Sequence, residues 1–348
     1  MITNIKKRFE YIDYVKGIGI LCIMLAHVIQ NFPVMNVVNT VVRSFHVPVF
    51  FMAAGMLRSY SDEKFDRYRT DRAEYVLKRA KQLLVPYVVF SIFNSVVKFS
   101  VLALKGNIGG DVVREELRQL FITGNGTVWF LLTLFLVDCI FYFGSPPFLF
   151  RGFYEMIYVV AWMCMMLIVP FVWRLDSDFG TLFLRFVMGA GFYYAGYILC
   201  QLMKEYIMLN KWTGVTYVII GLLAALFLRT DIDFFNGRFN YPVGSLVAAL
   251  CISIGIINIC FNLEAKDGTN AIKQVLSFFG KNSLIVMLVH PTILLCVTYP
   301  LGARLSQISG VAGVIASVLI FAGLCVLQIP FVFLINKYVP FLIGKQKQ

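Results

Sequence analysis

The chain has 348 residues, 59% of them apolar and 14% charged, and its mean hydropathy is +0.78. An ordinary soluble protein carries about 25% charged residues, so this composition excludes a soluble globular surface, and with it disorder, a coiled coil and a disulfide-stapled scaffold. The excess of 31 Lys and Arg over 19 Asp and Glu is read as membrane orientation rather than nucleic-acid binding.

A bilayer span takes about 20 apolar residues. Ten segments qualify in chain order: 12–32, 37–58, 83–104, 127–143, 153–174, 179–200, 212–229, 242–263, 282–302 and 311–336. The breaks carry turn chemistry, as in Gly144-Ser145-Pro146-Pro147, Asp176-Ser177-Asp178 and Asp231 to Tyr241 with its Asn236-Gly237. With the N-terminus inside, the inner segments hold 21 Lys and Arg and the outer segments seven. That asymmetry places both termini in the cytoplasm. The expectation is an all-α polytopic membrane protein, one integral-membrane domain over residues 1–348, set in the cell membrane. No small-residue cleavage site follows the first span at Asn31-Phe32-Pro33-Val34, so it is read as a span and not a leader. The eight Cys lie in apolar segments without CxxC or Cys/His spacing. They are read as packing side chains, and no metal site is expected.

Polar groups at membrane depth are costly unless paired or hydrated, so each is a candidate. In the first span Asp13, Lys16 and His27 fall within about 60° of one another at roughly 100° per residue. Lys16 and His27 stand about 16 Å apart along the axis. The plainer alternative is that Lys16 snorkels to headgroups and His27 makes a packing hydrogen bond. In the second span Arg43 and His46 share a face at i, i+3, and Pro48 frees a backbone carbonyl. Arg43 could equally snorkel to the outer interface. Lys78, Arg79 and Lys81 crowd the inner mouth of the third span, as a topology signal on anionic lipid or as a site for a polyanion such as a nucleotide phosphate. Asp138 and Arg185 read as halves of structural ion pairs. His290-Pro291 in the ninth span carries the last of three His, all inside spans and none in a loop.

Several of these stretches together resemble the integral-membrane acyltransferases of type 3, in particular the fucose 4-O-acetylase-related branch. Tyr11 to Ile18 with Asp13 and Lys16, followed by His27, is similar to the family's opening motif. Phe45-His46-Val47-Pro48 to Gly55 resembles the second-span motif, with Ala54 where Ser is usual. Lys78-Arg79 to Pro86-Tyr87 resembles the basic lead into the third span, and Val128-Trp129-Phe130-Leu131 the Trp-Phe-Leu segment. Phe279-Gly280-Lys281-Asn282-Ser283-Leu284 to His290 resembles the late motif, with Met287 where Tyr is frequent.

The resemblance implies transfer of an acyl group, acetyl by default, from cytosolic acyl-CoA to a hydroxyl of an envelope carbohydrate or lipid-linked glycan in a bacterial membrane. It implies His27 as the catalytic base with Asp13 in support, Lys16, Arg79 and Lys81 on the CoA phosphates, and Arg43, His46, Trp129 and His290 around the substrates. A direct transfer and a covalent acyl-histidine relay both remain open. Two other readings stand beside it. A transporter or flippase would show inverted repeats with broken helices in matching positions, which the sequence lacks. A sensory or assembly protein with structural histidines would have no affinity for CoA.

Overall fold

Length and apolarity decide which helices can cross a bilayer. The computed structural model describes residues 9–64, 72–103, 109–120, 124–144, 157, 160–162, 164–166, 168–169, 177–205, 210–228, 230–266 and 268–345. Its helices are α1 (Glu10–Ile29), α2 (Asn36–Phe45), α3 (Pro48–Lys64), α4 (Arg72–Ala103), α5 (Gly110–Arg118), α6 (Trp129–Gly144), α7 (Asp178–Glu205), α8 (Lys211–Phe227), α9 (Pro242–Glu264), α10 (Ala271–Lys281), α11 (Ser283–Leu305) and α12 (Gly310–Tyr338). Two short antiparallel strands, β1 (Asp231–Asp233) and β2 (Arg238–Asn240), form a hairpin between α8 and α9. The fold is that of an all-α polytopic membrane protein.

Six spans are long and apolar enough by themselves: α1, α2 with α3, α4, α7, α9 and α12. The pair α10–α11 makes a seventh if it is one span bent by 81°. The shorter apolar helices Trp129–Phe143 and Trp212–Phe227 coincide with the expected fourth and seventh segments. The expected fifth span, 153–174, lies mostly outside the described residues, as do 65–71 of the basic inner loop.

Two expected spans are not single helices. The second breaks at His46-Val47, between α2 and α3, because Pro48 has no N–H to continue the ladder and starts α3 instead. The ninth is the far half of the bent pair, turning at Asn282.

Close helix contacts use glycine. A Cβ on Gly55 of α3 would overlap the Tyr193 carbonyl of α7, and one on Gly196 of α7 would overlap the Met52 carbonyl. Likewise Gly17 of α1 lies against the Leu276 carbonyl, and Gly280 against that of Asp13. Without a hydrophobic drive between helices in lipid, such close backbone approach is what holds them together. On α12, by contrast, Val311, Leu319 and Phe333 are each at least 60% exposed. In a bilayer that apolar face meets acyl chains.

Candidate active site

A cavity of about 290 Å³ opens among α1, α2, the start of α6, the hairpin and α11. Ile23, Ala26, His27 and Gln30 line it from α1, and Asn39, Arg43, His46 and Val47 from α2 and the break after it. Thr127, Trp129 and Phe130 close one side, Met287 another, and Ile232 to Asn236 of the hairpin form the roof. The α1 stripe explains the placement. Its lower end, Asp13 and Gly17, lies against α10, and its upper end, His27, against α11.

All three histidines converge here. His27 and His46 line the cavity, and the His290 ring lies behind His27 with ring centres 5.3 Å apart. His46 Nδ1 is 2.9 Å from the Val42 carbonyl and His290 Nδ1 is 2.8 Å from that of Val286. A carbonyl only accepts, so each Nδ1 carries the proton and each neutral ring keeps its lone pair on Nε2.

The walls are set by backbone groups that the membrane would otherwise leave unpaired. Pro291 has no N–H, which releases the Met287 carbonyl four residues earlier. The Thr127 hydroxyl donates to that carbonyl at 2.7 Å, tying the lead into α6 to α11. The Asp231 to Tyr241 segment was expected as an ordinary break outside the bilayer. Instead it folds back into the bundle, with Ile232 and Phe234 at most 3% exposed. Phe234 stacks against Phe51 and Trp129.

Arg185 of α7, 1% exposed, donates from Nε to the Phe235 carbonyl at 2.8 Å and also from Nη2. Its guanidinium rests over the Trp129 ring at 5.1 Å. The expected ion-pair residue is thus the anchor of the hairpin, and Trp129 is the platform beneath it. Sequence reasoning missed Asp233, Phe234, Phe235 and Asn236. The signal was present, because Ile232, Phe234 and Phe235 are apolar in a segment that turn chemistry marked as a loop.

The remaining candidates lie elsewhere. Asp13 is buried and its carboxylate pairs with Lys16 at 2.8 Å. It stands fourteen residues before His27, about 21 Å by helix rise, so it supports Lys16 and does not touch the histidines. Arg79 donates from Nε to Asp138 at 2.6 Å and from Nη1 to Gln82 at 3.0 Å. Asp138 also accepts from the Tyr75 and Tyr193 hydroxyls, so Asp138 is half of a structural ion pair and Arg79 is its partner. Lys81 is exposed on α4. Lys16, Arg79 and Lys81 are not among the residues lining the cavity.

No curated protein and no solved structure matches the chain. The family model described as an acyltransferase domain matches residues 9–337, a stretch that runs from the start of α1 almost to the end of α12 and contains every wall of the cavity. The chain therefore belongs to the type 3 acyltransferase family and is a membrane acyltransferase.

Proposed function

We propose that this acyltransferase moves an acyl group, acetyl by default, from acyl-CoA to a hydroxyl of a carbohydrate or lipid-linked glycan acceptor. The observation that carries the reading is that His27 and His46 line one partly polar cavity, with the His290 ring behind His27. His27 is the general base. One of its ring nitrogens takes the proton from the acceptor hydroxyl as that oxygen attacks the thioester carbonyl carbon. The carbonyl π electrons move to oxygen. On collapse the C–S bond breaks, and the CoA sulfur takes the proton back from the imidazolium. An imidazole suits both halves because its ordinary pKa lies near neutral pH. Arg43 faces the same space and stabilises the developing oxyanion, while His46, with Nδ1 committed to Val42, offers its Nε2 lone pair to a hydroxyl of the acceptor.

The donor phosphates bind at the other end, on Lys16, Lys81 and the part of Arg79 not covered by Asp138. Side-chain exposures of 22% for Lys16 and 26% for Arg79 leave both within reach of a polyanion. The amide and carboxylate groups of Gln30, Asn39, Asp233 and Asn236 at the cavity match a hydroxyl-rich acceptor. Family membership favours this reading over a transporter.

The test is thiol release from acetyl-CoA by the purified protein in detergent. His27→Ala should lower the rate by about 10²–10⁴-fold, the usual weight of a general base, with the fold intact. A wild-type protein that neither binds nor consumes acetyl-CoA, or a His27→Ala variant of normal rate, overturns the proposal.

A further inference from the structure

His290 is fully buried and is not among the residues that line the cavity, so it is not placed to touch substrate. Its Nδ1–H is spent on the Val286 carbonyl. The Nε2 lone pair is then the one polar feature left to the ring, and among the described residues nothing donates to it. A buried acceptor without a donor is unfavourable in lipid surroundings, so a donor belongs there.

The neighbouring side chains narrow the choice. The Thr127 hydroxyl is committed to the Met287 carbonyl, and the Gln30 amide to the His27 carbonyl. Asn94 accepts from the Thr292 hydroxyl through Oδ1, and Thr292, two residues on from His290, is about 200° around the helix, so Asn94 is held at the face turned away from the His290 ring. The ring that lies directly against His290 is that of His27, with centres 5.3 Å apart and planes inclined by 41°. Imidazole nitrogens lie about 1.2 Å from the ring centre, so two turned toward each other across this gap stand about 3 Å apart, an ordinary hydrogen-bond length. The terminal torsion of a histidine is broad, so a turn of the His27 ring costs little.

We propose that His290 is a positioning residue: its Nε2 accepts an N–H from His27 and so holds His27 in the tautomer whose lone pair faces the cavity. The acceptor hydroxyl then always meets a nitrogen able to take its proton, instead of an N–H for part of the time. This deepens the acyl-transfer reading of the same site and rests on it for the kinetic consequence alone.

Two substitutions separate the two ends of the His290 ring. In His290→Asn the side-chain amide still reaches the Val286 carbonyl, but the acceptor toward His27 is gone. In His290→Gln an amide oxygen reaches the place of Nε2. The chain has three His, so a ¹⁵N-imidazole spectrum of the detergent-solubilised protein is simple enough to assign. Wild type and His290→Gln should each show His27 as one neutral tautomer, with one protonated and one bare nitrogen. His290→Asn should show both nitrogens averaged.

With acetyl-CoA, kcat should fall at least tenfold in His290→Asn and recover in His290→Gln, with KM unchanged. A His27 pattern identical in wild type and His290→Asn, or an averaged pattern in wild type, overturns the proposal and points to a bound water on Nε2. The spectra need no turnover. A wild type inactive on acetyl-CoA would therefore count against the acyl-transfer reading while the tautomer question is still decided.

Discussion

Asp138 accepts hydrogen bonds from three side chains of two other helices: Arg79 Nε and Tyr75 Oη of α4, and Tyr193 Oη of α7. It is 2% exposed. Replacing it with Leu keeps the volume close but leaves a guanidinium and two hydroxyls without their acceptor. Breaking a buried ion pair on one side costs about 3–5 kcal/mol, because the surviving charge is left uncompensated. In a thermal scan in detergent this corresponds to a fall in Tm of roughly 5 °C or more. Arg79→Ala should also destabilise, and the double variant should lose far less than the two single losses added together, since the second change removes the stranded charge. If Arg79 instead served only the donor phosphates, its loss would weaken acetyl-CoA binding, leave Tm alone and add to the Asp138 effect. A Tm for Asp138→Leu within error of wild type refutes the reasoning.

Arg185→Met should release the hairpin. A hydrogen bond from a charged group is worth about 1.5–3 kcal/mol, so amide exchange over 231–240 should rise tenfold or more, read by mass spectrometry. Lys81→Ala should weaken acetyl-CoA binding in calorimetry by roughly tenfold on the same scale, more weakly at high salt, without moving Tm. A reporter fused after Gln348 should be cytoplasmic and one inserted near Gly109 external. A C-terminus on the outside would mean that the span count is odd.

The apolar segments were legible because a bilayer imposes one requirement on every span, about 20 apolar residues with the backbone satisfied within the segment. The facing of Asp13, Lys16 and His27 was equally legible, since it follows from helix period on a single element. The three histidines also stood out in the sequence, because ionisable groups at membrane depth need a reason to be there, but their convergence was not legible. What periodicity could not assign was partners on other helices. Arg79 reads as a free cation in sequence, and only the packing of α4 on α6 gives it Asp138. Arg185 reads as an ion-pair residue, and only the return of Asp231 to Asn240 into the bundle gives it a backbone carbonyl to hold.

The sequence by itself determined that this protein is an all-α membrane protein, where most of its apolar segments lie, and that Asp13, Lys16 and His27 share one stripe of α1, because those follow from local composition and helix geometry. The tertiary structure alone decided that a segment with the turn chemistry of a loop roofs the cavity, that Thr127 caps the carbonyl freed by Pro291, and that His290 stands behind His27 and not in the cavity wall. Each of these joins groups far apart in the chain, 160 residues in the case of Thr127 and Met287, and such contacts exist only once close-packed helices have fixed which faces meet.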